Sequence, residues 1–362
     1  PAEYLRFLMS TVREHGYNVL FPSHEQVYLL SRVRDEISKH VAVALPDFEA
    51  VRLMQSKSDF VRTLTELDIP VPATRIVRDV AELDDHSEFP CYIKLAHSTA
   101  GTGVAVANSQ PELIRAAEEF RTQGRLSETT EILVQQPVAG IMCVVTAVFQ
   151  QGRMIAAHCA ESLERGVGGG QGLRVSASHP SVVEYVRQLG QHLHWHGAMF
   201  LEYFFDATTG QPQFIECNPR IGETWNAKLC GINLCELLVR ISLGQRLEPI
   251  ETPVTAGVRS HSDFFILLAK SIRRATRREI LRTAWDMIRA RGLYRDSVCE
   301  ITRPAADPPS VIPALACLIQ LLAYPGLGRR IVEKSVRSYS LPQSGVEKIH
   351  ALSDGQLLQC LE

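Results

Sequence analysis

The sequence contains no G-x-x-x-x-G-K-[ST] signature, no C-x-x-C pair and no proline-free apolar run long enough to span a bilayer. The first absence excludes a P-loop nucleotide site. The nine cysteines are odd in number and lack finger-like spacing, so the expected compartment is a reducing cytoplasm. The longest apolar run, residues 311–328, is broken by two prolines, and no secretory leader is read at the start of the chain. Charge of one sign is also missing. A formal net charge of −2 over 362 residues, with 45% hydrophobic content, excludes a disordered chain and a bulk nucleic-acid binder, so no specific nucleic acid is expected as a partner.

What is present centres on residues 214–222, FIECNPRIG. Strand alternation puts Phe214, Glu216 and Asn218 on one face and Ile215 and Cys217 on the other. Glu216 and Asn218 then offer three side-chain oxygens to one point, which suits a hard cation such as magnesium. Pro219 keeps Asn218 extended, and Arg220 follows with a planar fork of donors for a carboxylate or phosphate. An edge strand with scattered polar residues would read the same way. The preceding run favours the cation. Glu202 sits among Leu201, Tyr203, Phe204 and Phe205, and a carboxylate in such company needs a cation or a donor. A hairpin through residues 206–213 would bring Glu202 and Glu216 together.

Upstream, Lys94 lies in a strand, CYIKLA, that leads into the loop HSTAGTGV. Gly101 and Gly103 let that backbone approach a ligand, while Ser98 and Thr99 add hydroxyl donors. Lys57 follows a helix cap at Ser56, where an ordinary exposed helical lysine would read the same way. Further elements are strands at 18–21, 40–46 and 104–107, a helix over 111–121, a hairpin turning at Gln-Gln-Gly (150–152), a glycine loop at 166–174 and a helix over 180–192. Antiparallel hairpins interrupted by helices argue an α+β chain. In HLHWHG, His192 and His196 are four apart, but no H-E-x-x-H pattern forms, so a structural role is favoured over zinc. Cys143, Cys159 and Cys217 read as core residues.

The order of these pieces resembles the ATP-grasp superfamily over about residues 15–248. It is most like the branch holding biotin carboxylase, the carbamoyl-phosphate synthase large chain and carboxylate–amine ligases. The resemblance implies an ATP-grasp fold of two α+β subdomains over 57–250, with a hinge near 134–138. Residues 1–56 would be the remainder of a truncated N-terminal α/β domain, and 251–362 a mainly helical extension. It further implies that Glu202, Glu216 and Asn218 hold one or two magnesium ions, with manganese an acceptable substitute. Lys57 and Lys94 would touch phosphates beneath the 97–104 loop. Gln135, Gln136, Pro137 and Val138 would read adenine, Arg220 would steady an acyl-phosphate, and Arg174 with the glycine loop would face the second substrate. Three departures stand out: the phosphate loop is poorer in glycine than that of biotin carboxylase, Met142 stands where many relatives carry an acid, and the front end is short.

The implied activity is ATP- and magnesium-dependent ligation. A carboxylate becomes an acyl-phosphate and passes to an amine, with ADP and phosphate released. Two alternatives remain: a bicarbonate-activating enzyme, and a nucleotide-binding scaffold. A homodimer is compatible with the sequence. From 270 to 295 nine Lys/Arg face two acids, a local net of +7. Flanked by apolar runs, the stretch 264–328 allows a peripheral membrane contact, although a solvated helix packed by its apolar stripe is favoured.

Overall fold

The computed structural model describes residues 1–99, 101–126, 129–167, 170–250, 255–302, 304–332 and 340–361. The chain begins with four helices: α1 (Ala2–His15), α2 (Val27–Arg32), α3 (Arg34–Ile37) and α4 (Phe48–Gln55). The segments expected as strands at 18–21 and 40–46 meet only through one parallel bridge, Val19 with Ala42. Two backbone hydrogen bonds, Leu20 N–H to Ala42 O and Ala42 N–H to Asn18 O, hold it. Val41, Val43 and Leu45 are buried there all the same, which is how two apolar segments without further strand partners satisfy their side chains.

Helix α5 (Lys57–Glu66) starts where Ser56 Oγ accepts from the Asp59 amide at 3.2 Å. Strands β1 (Thr74–Val77), β2 (Cys91–Leu95), β3 (Val104–Ala107) and β4 (Ile132–Gln135) form an antiparallel sheet in the order β1-β4-β2-β3. Helix α6 (Gln110–Thr122) covers it with Leu113, Ala117 and Phe120.

Among the described residues the larger sheet has seven strands. Five come in sequence with one helix between them: β5 (Ile141–Gln150), β6 (Arg153–Arg165), β7 (Gln171–Ala177), α7 (Pro180–His192), β8 (Gly197–Asp206) and β9 (Gln211–Asn218). The β5–β6 turn has Gln151 and Gly152 at φ 51° and 81°, the paired left-handed geometry that matches strand twist. Residues 136–140 are the link between the sheets.

After α8 (Trp225–Leu229) and α9 (Leu234–Ser242), the chain adds β10 (Arg259–His261), α10 (Asp263–Ile272), α11 (Arg277–Ile288), β11 (Ser297–Cys299) and α12 (Val311–Ala323). The sheet order is β11-β10-β7-β6-β5-β8-β9. The region after 250 is thus not a helical appendage alone, because it supplies two strands of the sheet. Each is three residues long with polar members, too short to show a period of two. The last helices, Gln343–His350 and Asp354–Leu358, place Val346, Ile349 and Leu357 in one core with Leu5, Met9 and Tyr28 of the N-terminal helices. Arg32 clasps this end, donating to Leu352 O at 2.7 Å and to Asp354 at 2.9 Å.

Two stability tests follow from packing and charge. A Cβ at Gly190 on α7 would lie 2.1 Å from Phe149, which is fully buried. Gly190→Ala is expected to lower unfolding free energy by about 1–3 kcal/mol in denaturant titration. Gly355→Ala, also in a helix but with its added carbon meeting nothing within 4 Å, serves as the clash-free control and should not destabilise. The second test concerns Glu131, which accepts from both Arg62 amino groups at 2.9 and 2.7 Å. That bidentate pair holds its carboxyl down at about 2 against the opposing effect of burial. Its contribution is therefore present above the ordinary glutamate range and lost as pH falls toward about 2. Glu131→Gln should narrow the stability gap between neutral and acidic titrations; an unchanged gap would assign acid sensitivity elsewhere.

Candidate functional site

Glu202 and Glu216 are direct cross-strand partners in the β8–β9 pairing. The register slips between Glu202 and Tyr203: Tyr203 pairs with Phe214, so Ile215 is the extra residue of a β-bulge. Simple alternation put Phe214 on the Glu216 face. The bulge instead turns Phe214 into the main core with Cys217 and Tyr203, and leaves Ile215 half-buried. Beyond Asn218 the Arg220 amide donates to Asn218 O at 2.7 Å. This three-residue turn around Pro219 folds the guanidinium back to donate to Asn218 Oδ1 at 3.1 Å.

Two lysines reach the same place from the other sheet's side. Lys57, at the first turn of α5 and 5% exposed, has its Nζ 3.1 Å from Glu216 Oε1 and donates to Ser98 O at 2.8 Å. Lys94, near the end of β2, donates to Gln135 Oε1, and Gln135 donates to Thr74 Oγ1 at 2.9 Å. Burial pulls Lys94 down to about 8, with Glu216 and Glu202 working to raise it and Lys57 to lower it. Burial, then the Glu216 carboxylate, pushes Glu202 up to about 7, while Lys57, Lys94 and Arg220 pull it down. Glu202, Glu216, Lys57, Lys94, Asn218 and Arg220 therefore form one electrostatic cluster.

The loop after β2 sits over Lys57. Ser98 gives it the carbonyl, and Thr99 O accepts both the amide and the hydroxyl of Thr102. Gly101 takes φ 71°. A Cβ at Gly103 would come 2.5 Å from Ser98 Cβ, so glycine is required for the loop to close on itself. Ala100 lies outside the described residues. Gln136, Pro137 and Val138 lie in the link between the sheets, where Gln136 donates to Glu88. Gln135 is better placed as the partner of Lys94 than as part of an open link.

Arg174 does not join the cluster. It is 1% exposed on β7, paired to Glu223 and, at 3.2 Å, to Glu300, and it donates to Gln171 O. Gly168 and Gly169 of the neighbouring glycine loop lie outside the described residues. One residue of the site escaped sequence reasoning altogether. Glu25, 4% exposed, faces Arg220 at 3.4 Å and accepts from Gln55 at 2.8 Å. It lies 195 residues before Arg220 in a short irregular stretch between α1 and α2, where no periodicity marks it.

The donor set fits a divalent cation. Two opposed carboxylates, one of them pushed up by burial and then by the other, plus an amide oxygen, are a set that magnesium could relieve. Magnesium added to chelator-treated protein should raise the melting temperature by a few degrees, roughly, in differential scanning fluorimetry. Glu202→Gln should itself raise the metal-free melting temperature and abolish the magnesium response. A magnesium response retained in that variant would place the cation elsewhere.

No protein-family model matches the chain. It is 24% identical over 226 residues to the arginine-specific carbamoyl phosphate synthase large chain of Halalkalibacterium halodurans, covering 57% of this chain and 21% of that one. It is 24% identical over 222 residues to the N-terminal section of the Methanopyrus kandleri carbamoyl phosphate synthase large chain, covering 57% and 39%. The chain thus spans well under half the length of these relatives. Among solved structures it is similar to the biotin carboxylase domain dimer of Hydrogenobacter thermophilus 2-oxoglutarate carboxylase, determined with MgADP, ADP and bicarbonate. The TM-score is 0.60 at 17% identity, covering 71% of this chain and 60% of that one. The likeness to solved structures is one of fold, and that fold is the ATP-grasp fold.

Proposed function

We propose that the protein is an ATP-dependent ligase that phosphorylates a carboxylate and transfers the acyl group to an amine, releasing ADP and phosphate. The observation that carries this reading is the cluster of two opposed glutamates with Asn218, Lys57, Lys94 and Arg220. A site that only binds a nucleotide has little use for an arginine clamped beside its metal-binding residues.

Each residue has a task in that reaction. The substrate carboxylate attacks the terminal phosphorus of ATP, ADP leaves, and the amine then displaces phosphate from the acyl-phosphate. Glu202, Glu216 and Asn218 would hold magnesium, which supplies charge neutralisation along the nucleotide phosphates. Lys94, lowered only to about 8, remains a cation at neutral pH and offsets phosphoryl charge. Lys57 bridges Glu216 and the Ser98 carbonyl, so closure of the loop and the position of a phosphate-binding cation are linked. Closure keeps water from the acyl-phosphate. Gln135 orients Lys94, and Gln136, Pro137 and Val138 are offered as the adenine-side edge. Arg220, steadied by Asn218 and Glu25, is aimed to hold the acyl-phosphate. Arg174, paired to two carboxylates, serves the second substrate by fixing Glu223, three residues beyond Arg220, rather than by contact.

The relatives supply a second reading. Their carbamoyl phosphate synthase names, and the bicarbonate in the solved carboxylase domain, favour bicarbonate as the acid activated. A homodimer is proposed on the same footing, since that solved domain is a dimer. The deciding experiment supplies Mg-ATP with pooled organic acids and amines, follows ADP, and identifies products by mass spectrometry. ADP release coupled to a new amide is expected, with Glu216→Ala and Arg220→Ala each lowering the rate by roughly a hundredfold or more. Turnover with bicarbonate alone would select the second reading. Nucleotide binding without turnover under every acid and amine would overturn both.

A further inference from the structure

Helices α10, α11 and α12 share a small core of Leu267, Ile280, Ala284 and Leu321. Their outward faces are unusual. Helix α12 has no charged side chain, and Leu321 is its one buried residue, while Ile312 is 70% exposed, with Leu315 and Ile319 exposed beside it. On α11 the exposed apolar residues are Leu281, Trp285 and Ile288, the last 75% exposed.

The charges on α11 are sorted around this stripe. At about 100° per residue, Leu281, Trp285 and Ile288 occupy one sector. Arg278, Arg282 and Arg289 fill the next, and Glu279 and Asp286 lie beyond the arginines. Arg289 stacks on the Trp285 ring with its guanidinium carbon 4.6 Å from the centroid. Glu279 is occupied as the cap partner of Thr276. The Arg282–Asp286 pair is loose, at 3.8 Å. The cationic sector is therefore open to solvent next to exposed tryptophan and aliphatic side chains.

We propose that this face docks on an anionic lipid surface, with the Leu281–Trp285–Ile288 stripe entering the headgroup layer and the arginine sector meeting acidic headgroups. Tryptophan and isoleucine bordered by arginine is the composition of a helix that lies in the interfacial plane. No helix among the described residues is long and apolar enough to cross a membrane, so the contact is peripheral. Charge complementarity disfavours a second copy of this chain: an antiparallel two-fold contact over the stripe would bring the arginine sectors of both copies together. This inference does not depend on the ligase reading, since none of its residues belongs to the nucleotide cluster.

The test is sedimentation of the whole chain with phosphatidylcholine vesicles, with and without phosphatidylserine, at low and high salt. Binding is expected only with phosphatidylserine and should weaken as salt rises. Arg278→Gln combined with Arg282→Gln should lower vesicle partitioning roughly tenfold or more. Trp285→Ala should weaken it further at unchanged circular dichroism. Both sites are exposed, so the variants should fold, and magnesium-induced thermal stabilisation provides a check that they do. Three outcomes would overturn the proposal: no sedimentation with anionic vesicles at low salt, equal binding to neutral vesicles, or a dimer in light scattering that Ile312→Glu dissociates.

Discussion

Two carboxylates facing each other across β8 and β9 set the terms for everything around them. Unrelieved, such a pair is costly in a partly buried place, and Glu202 records that cost by being pushed up to about 7. Three cations answer it, each from a different part of the chain. Lys57 comes from the cap of α5, Lys94 from the small sheet and Arg220 from the turn that ends β9. Each is itself constrained: Lys94 is buried on Gln135, Lys57 also serves Ser98, and Arg220 leans on Glu25. The site is thus a balance of charges, in which three cations offset two opposed carboxylates.

That balance explains why the elements sit where they do. The link at 136–140 lets the four-stranded sheet carry Lys94 and the glycine-containing loop toward the large sheet. The N-terminal helices, though they make only one bridge of parallel pairing, are needed to bring Glu25 and Gln55 behind Arg220. They are in turn packed against the last two helices of the chain. Burial of Leu5, Met9 and Tyr28 under Val346, Ile349 and Leu357 therefore supports the arginine from a distance of over 100 residues in sequence.

Most of the elements could be read from the chain because they carry strong local signals. Proline starts α7 at Pro180 as read, and the Gln-Gln-Gly turn fixes the β5–β6 hairpin. Glu202 and Glu216 could be paired because each is an acid within an apolar strand, and a hairpin brings such residues opposite each other. The bulge at Ile215 left no mark, because a one-residue slip depends on how Phe214 and Tyr203 pack rather than on any turn residue. Glu25 was invisible for another reason: a lone acid in an irregular stretch shows its partner only in three dimensions. The short strands β10 and β11 were lost because three residues cannot display a period.

Those two strands change how the end of the chain should be understood. Through β10 the segment after 250 extends the large sheet from β7, and just past β11 Glu300 reaches Arg174 on that same strand. Ser260 on β10 donates to Glu300 and accepts from Asn226, which also meets His158. Arg174 in turn holds Glu223. Removing Glu300 would leave Arg174 with one carboxylate instead of two, and an arginine 1% exposed would then draw more strongly on Glu223. Glu223 lies three positions from Arg220. The C-terminal region is thus tied, through Glu300, Arg174 and Glu223, to the segment that follows Arg220.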